Sequence, residues 1–294
     1  MKIAISQHAI QHPETWAEYA ATISARVSSA AVLGAQLLCF AEYGSLELTS
    51  LLPPAVGTGV PPKDVAMAQV RALQEWHEEF LELFQRLAHQ YNICIVAPSF
   101  PFLSHDGWVN RCWVFSPHAT RYTDKVHMTR FETEWLTITG RPELTLYRWH
   151  NLSFGICICY DVEFPIQVRA LVEAGADLIL TPSCTDTEAG YQRVFLSARA
   201  RALENQVYVA QAPLRGTSNV CEIVDTNTGL AGIYGPVDRG FPDNGILAEA
   251  SPVDDWLIHD LNVEQLHDTR QNGQVRNHQD WFTPFNSRVV AEPL

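Results

Sequence analysis

Hydrophobic positions along the chain follow two alternating rhythms. Short apolar runs of strand length are separated by longer stretches in which apolar residues recur every three or four positions. Lys2 to Gln7 reads as a strand. Pro13 to Gly34 reads as a helix, with Pro near its start and Gly at its end. Gln36 to Ala41 is a short apolar strand that ends at Glu42, and Leu51 to Pro62 is a Pro/Gly-rich loop. A long helical pattern covers Asp64 to Gln90, followed by strands at Ile93 to Ala97 and Trp108 to Ser116, with Arg121 to Lys125 as a hairpin partner.

The second half keeps the same style. Leu152 to Cys159 reads as a strand, Pro165 to Ala174 as a helix and Asp177 to Thr181 as a further apolar strand. A helix over Tyr191 to Glu204 and strands at Val207 to Ala212 and Val220 to Val224 follow, and Ile246 to Glu249 and Trp256 to Asp260 are the last strands. No linker, low-complexity tract or strict repeat interrupts the series. The pattern predicts one layered α/β domain over 1–294, with a core to about 262 and a polar C-terminal extension over 263–294.

Composition narrows the function classes. The chain has 294 residues, 47% of them hydrophobic, which is ample for a core. A net charge of -13 argues against nucleic acid or an anionic membrane as partner, because binding phosphate requires a basic footprint. The seven cysteines are scattered and odd in number, so no disulfide framework is expected. The start, Met1 to Ser6, turns polar too soon for a signal peptide, and no apolar run is long enough to span a bilayer. A soluble protein of the reducing cytoplasm is the expectation.

Chemistry concentrates in Gly155-Ile-Cys-Ile-Cys159-Tyr-Asp-Val-Glu-Phe-Pro165, where an apolar strand delivers Cys159 to a polar turn before a helix. A thiol there is within reach of a substrate, and the nearby helix start favours its thiolate. Cys157, two residues earlier, is expected to pack inside the sheet. Glu42 and Lys125 also follow apolar or hairpin strands. Each alone reads as a solvated loop charge. Together, three strand-end groups could converge at one sheet edge, with the Glu accepting the thiol proton and the Lys stabilising an oxyanion. None of the eleven histidines lies in a zinc-type spacing, and no metal or organic cofactor is expected.

At these residues the sequence resembles the carbon–nitrogen hydrolase (nitrilase) superfamily, in its amidase-like branch. The matching segments are Phe40-Ala41-Glu42-Tyr43, Asp124-Lys125-Val126-His127 and Ile158-Cys159-Tyr160-Asp161-Val162-Glu163-Phe164-Pro165, supported by Gly175 to Ser183 and Arg199 to Val209. The resemblance implies a four-layer α-β-β-α sandwich. It casts Glu42 as general base, Lys125 as the oxyanion-stabilising cation, Cys159 as nucleophile and the Tyr160 backbone N–H as a second oxyanion donor. A second glutamate beside the lysine is implied, for which Glu132 is favoured over Glu134, and Ser183 and Cys184 are candidate substrate contacts.

The reaction implied is hydrolysis of a non-peptide C–N bond of a small carboxamide through a thioester on Cys159, releasing ammonia or an amine. Nitrile or N-carbamoyl hydrolysis and acyl transfer to an amine are the alternatives. The resemblance further implies a homodimer through helices 165–174 and 191–204. The loops 51–62 and 229–244 are expected to shape the pocket rim.

Overall fold

The computed structural model describes residues 1–53 and 61–281. Most of the predicted rim loop at 51–62, and the end of the extension from 282, therefore lie outside the described residues. In chain order the elements are β1 (Lys2–Ser6), α1 (Trp16–Val32), β2 (Leu37–Cys39), α2 (Pro62–Ala72), α3 (His77–Tyr91), β3 (Cys94–Val96), β4 (Phe100–Ser104), β5 (Gly107–Ser116) and β6 (Ala119–Asp124). Next come α4 (Arg130–Trp135), β7 (Tyr147–Trp149), β8 (Leu152–Ile156), α5 (Pro165–Glu173), β9 (Leu178–Ser183), α6 (Glu188–Asn205) and β10 (Tyr208–Pro213). The chain continues through β11 (Gly216–Thr217), β12 (Thr226–Asn227), β13 (Gly232–Tyr234), β14 (Ile246–Glu249), β15 (Trp256–Asp260), α7 (Val263–Asn272) and α8 (Asn277–Asp280).

Two sheets carry the architecture. The first has the order β15-β1-β2-β3-β5-β4, with β6 also paired to β5; the second has the order β14-β13-β10-β9-β8-β7. In each, parallel strands form the centre: β1, β2 and β3 in the first, and β8, β9 and β10 in the second.

Period-two alternation sorts the first sheet's side chains onto two cores. Ile3, Ile5, Leu37, Val96, Cys112 and Val114 share a core with Phe154, Ile156 and Leu180 of the second sheet. Their neighbours Ala4, Leu38, Ile95 and Phe115 instead pack with Tyr19, Ile23 and Val27 of α1 and Phe80, Phe84 and Leu87 of α3. On the far side, Val168, Leu171 and Val172 of α5 and Val194, Ala198 and Ala202 of α6 join the second sheet. Helix, sheet, sheet, helix is the resulting layer order, as expected. Close approach of α5 depends on Gly155, where an added Cβ would lie 2.6 Å from a Leu171 methyl.

Local signals explain most boundaries. The Thr15 hydroxyl accepts the Glu18 N–H at 3.2 Å and opens α1. Gly34, at φ +85, follows its end. The long helix expected over 64–90 is instead two helices joined by a tighter turn at Leu73–Trp76. There Gln74 ties the turn to the edge strand β4, donating to Pro101 O (2.8 Å) and accepting from Leu103 N (3.2 Å). The strand expected at Val220 to Val224 is a turn segment. The Ser218 hydroxyl accepts both the Val220 and Cys221 N–H groups, and Cys221, Ile223 and Val224 are buried without pairing in a sheet while Val220 is exposed. Among the described residues, no helix is long and apolar enough to cross a membrane.

Candidate active site

Three strand ends meet as the sequence pattern suggests. Glu42 lies just past β2, Lys125 just past β6 and Cys159 beyond β8; the first two are 1% exposed and Cys159 is 5% exposed. Lys125 Nζ donates to Glu42 Oε1 at 2.8 Å and to Glu132 Oε1 and Oε2 at 2.9 and 2.8 Å. Glu132 is thus the glutamate beside the lysine. Glu134 points outward, 56% exposed, and pairs with Arg130 on the surface.

The two buried carboxylates are not equivalent. Glu132 collects donors from Lys125, Tyr43 Oη (2.8 Å), Asn110 Nδ2 (3.1 Å), Thr129 N (2.9 Å) and Thr129 Oγ1 (3.0 Å). Burial works against its charge, but the lysine and these hydrogen bonds outweigh it and hold the carboxyl below the usual range. Glu42 has fewer partners. Its Oε1 accepts from Lys125 and from Asn110 Nδ2 (2.9 Å), and burial, countered by Lys125 and abetted by Glu132, lifts its carboxyl from 4.5 to about 7. Lys125 feels the same burial, yet Glu132 and Glu42 keep its ammonium well above the ordinary lysine range. Two carboxylates with separated proton affinities thus flank one cation, Glu132 held in its charged form and Glu42 shifted the other way.

Cys159 differs from the strand-end residue expected. β8 stops at Ile156, and Cys159 opens a tight turn over Cys159–Glu163 with φ +49, a left-handed conformation uncommon outside glycine. Its thiol donates to Cys184 O at 3.7 Å and lies within hydrogen-bonding reach of Glu42. The expected bias towards a resting thiolate is reversed here. Burial and the Glu42 charge push the thiol well above its usual range, against the pull of Lys125. The resting group is therefore a thiol with a carboxyl group beside it. Cys157 is fully buried in the inter-sheet core.

Asp161 braces the turn. Its carboxylate accepts from Ile158 N (3.2 Å) beside Cys159, and from Val126 N (3.2 Å) and His127 N (2.7 Å) beyond Lys125. One buried side chain thus ties the Cys159 loop to the Lys125 loop. Gln167 joins the same cluster, donating to Asp161 at 3.3 Å and bonding His127.

The remaining predicted contacts separate. Tyr160 lies in the first turn after Cys159, where N–H groups have no intrahelical acceptor. Cys184 is half-buried at the site, its thiol donating to Asn227 Oδ1 at 3.1 Å. Ser183 does not reach the site surface: it is wholly buried, its Oγ without a hydrogen-bond partner among the described residues. Sequence reasoning missed Tyr43, Asn110, Thr129 and Asp161. For Thr129 a signal existed, since Thr129-x-x-Glu132 is a capping-box pattern, and α4 forms that box. Among the described residues no group of three or more His, Cys, Asp or Glu is arranged to hold a metal ion.

Comparison with known proteins places this geometry in context. The chain is 30% identical over 283 residues to the probable hydrolase YhcX of Bacillus subtilis (strain 168), covering 95% of the chain and 53% of that relative. The chain thus spans about half the length of that relative. It is 24% identical over 208 residues to omega-amidase NIT2 of Xenopus tropicalis, covering 67% of this chain and 72% of the other. Among solved structures, a Glu-to-Gln mutant of the amidase from Nesterenkonia sp. AN1, bearing acrylamide added at its active-site cysteine, superposes with a TM-score of 0.65 at 23% identity. That match covers 96% of this chain and 100% of the other, and establishes likeness of fold. The profile of the family named carbon-nitrogen hydrolase matches residues 2–236. On that match over most of its length, the chain belongs to the carbon–nitrogen hydrolase family.

Proposed function

We propose that this protein hydrolyses the C–N bond of a small carboxamide, with Cys159 as nucleophile, Glu42 as general base and acid, and Lys125 and the Tyr160 N–H stabilising the oxyanion. The observation that carries this reading is the buried meeting of three groups: Lys125 Nζ lies 2.8 Å from Glu42 Oε1, and the Cys159 thiol lies beside the same carboxyl. The omega-amidase relative, and the amidase fold neighbour with its modified cysteine, support an amide over a nitrile.

The steps follow from the geometry. Glu42 takes the Cys159 proton as sulfur attacks the amide carbonyl. In the resting site all three Lys125 N–H groups lie on carboxylates, two of them on Glu132. Turning one of those two towards the oxyanion leaves the lysine still anchored, so stabilisation needs no large movement. Glu42 then passes its proton to the departing nitrogen, leaving a thioester on Cys159. Water, deprotonated by Glu42, attacks the thioester, and the thiol regains its proton. In this reading Cys184, whose carbonyl lies 3.7 Å from the Cys159 thiol, contacts the acyl group.

Ammonia release from a panel of amides, nitriles and N-carbamoyl compounds tests the reading, with Cys159→Ala in parallel. Release from amides by the wild type alone is the expected result. Preference for nitriles or carbamoyl compounds would move the assignment, and product appearing only with an added amine would indicate acyl transfer.

The reading extends to a homodimer through α5 and α6. These helices expose Ile166, Leu196 and Leu203 at 75%, 58% and 45%, apolar surface that a second copy would cover. Light scattering at micromolar concentration should report twice the chain mass; a monomer refutes the pairing.

A further inference from the structure

Asn110 sits inside β5, away from any strand end, on the face it shares with Cys112 and Val114 of the inter-sheet core. It is fully buried. A polar side chain at such a position costs stability unless its groups are bonded, and only half of this one is. Nδ2 donates to Glu42 Oε1 at 2.9 Å and to Glu132 Oε1 at 3.1 Å, whereas the buried Oδ1 has no hydrogen-bond partner among the described residues. The opposite amide orientation would press a carbonyl oxygen against two carboxylates, so the chemistry selects the NH2 for this contact. The fold therefore carries an unsatisfied buried acceptor here, and the contact with both carboxylates is what offsets it.

The backbone strengthens the placement. Asn110 O accepts the Lys125 N–H at 2.9 Å, so the β5–β6 pairing that presents the lysine presents Asn110 with it. One residue on, Arg111 locks that register with two bonds to Asp124, at 2.7 and 2.8 Å.

Resting on the hydrolase reading above, we propose that Asn110 is a positioning residue for the general base. It holds Glu42 Oε1 beside Glu132 Oε1 and so fixes the carboxyl beside which the Cys159 thiol lies. Its role becomes distinct when Lys125 turns one of its Glu132 donors to the oxyanion, because Asn110 Nδ2 still ties Glu42 Oε1 to Glu132 Oε1. A donor on Oε1 also favours the charged carboxylate, so Asn110 helps to set the pH at which the base becomes available. The other charged or titratable groups around Glu42 are Lys125, Glu132, Cys159, Cys184, Tyr43 and Cys112. Asn110 is the amide that touches both carboxylates.

The test uses the full chain with Asn110→Leu, which keeps the branched skeleton at a larger volume and removes the donor, and Asn110→Ser, whose hydroxyl can still serve one carboxylate. Thermal unfolding first checks that each variant folds. The pH profile of kcat/KM for ammonia release should then show its acid limb moved upward by about one pH unit in Asn110→Leu, with a roughly tenfold loss of kcat at pH 6 and KM within about twofold. Asn110→Ser should shift it less. A lower Tm with an unmoved acid limb in both variants would make Asn110 merely structural and overturn the proposal. If the wild type releases no ammonia from any amide, the hydrolase reading fails separately. Alkylation of Cys159 by iodoacetamide, followed by peptide mass spectrometry across the same pH range, then decides Asn110 without a substrate. Its acid limb should move upward in Asn110→Leu, and an unchanged limb would overturn the inference.

Discussion

Replacing Glu42 by glutamine should make the protein inactive and, above pH 7, more stable. The substituted side-chain amide would keep an oxygen for Lys125 Nζ and Asn110 Nδ2, which now bond Glu42 Oε1 at 2.8 and 2.9 Å, while losing the charge. A buried carboxyl lifted from 4.5 to about 7 opposes folding once ionised. At roughly 1.4 kcal/mol per pH unit the penalty reaches about 3 kcal/mol. The sign follows from linkage. The folded carboxyl holds its proton more tightly than the unfolded one, so the penalty is absent below pH 4.5, grows as pH rises from 4.5 to about 7, and is constant above. Urea unfolding of wild type and Glu42→Gln at pH 5 and pH 8 measures this directly. The variant should gain up to about 3 kcal/mol at pH 8, or roughly 5–10 °C in Tm, and little at pH 5. A variant less stable at pH 8, or a difference that does not change with pH, would refute the reasoning.

The same cluster yields three further expectations. Lys125→Met strands two buried carboxylates without their cation and should cost about 3–5 kcal/mol at pH 8 with loss of activity, the deficit shrinking at pH 5 as they protonate; urea titration at both values checks it. Glu132→Gln should lower kcat by at least about a hundredfold by loosening Lys125, whereas Glu134→Gln, on an exposed pair with Arg130, should leave kinetics within about twofold. In native protein, peptide mapping after brief alkylation should find Cys159 modified well before Cys157, which is wholly buried in the inter-sheet core.

The layered fold is legible in the sequence because its central strands are nearly continuous apolar runs, such as Leu37 to Ala41 and Leu178 to Leu180, flanked by helices with clear caps. Glu42 directly follows such a run and Lys125 follows the polar strand Arg121 to Asp124; each alone reads as a solvated charge, and it is the set of three strand-end groups that marks the site. Asn110 gives no such signal, since a lone polar residue within Val109-Asn-Arg-Cys112 looks like ordinary strand alternation. Only the register against β6 reveals its neighbours. Asp161 is visible as part of the Cys-Tyr-Asp turn, but its bonds cross to a loop more than thirty residues away. The protonation state of Cys159 escapes the sequence because a helix start can be read there, while the carboxylate that folding places beside the thiol cannot. Val220 to Val224 misleads for the opposite reason. Apolar residues predict burial, and Cys221, Ile223 and Val224 are buried here, but the Ser218 hydroxyl takes the Val220 and Cys221 N–H groups out of any ladder.

The central claim is that carbon–nitrogen bond cleavage passes through a thioester on Cys159. Intact-mass spectrometry of enzyme quenched in acid within the first turnover of the best amide tests it most directly. The account predicts an added acyl mass, mapped to the Cys159 peptide and absent from Cys159→Ala. Turnover with no adduct at any time point, or with activity retained in Cys159→Ala, would contradict it.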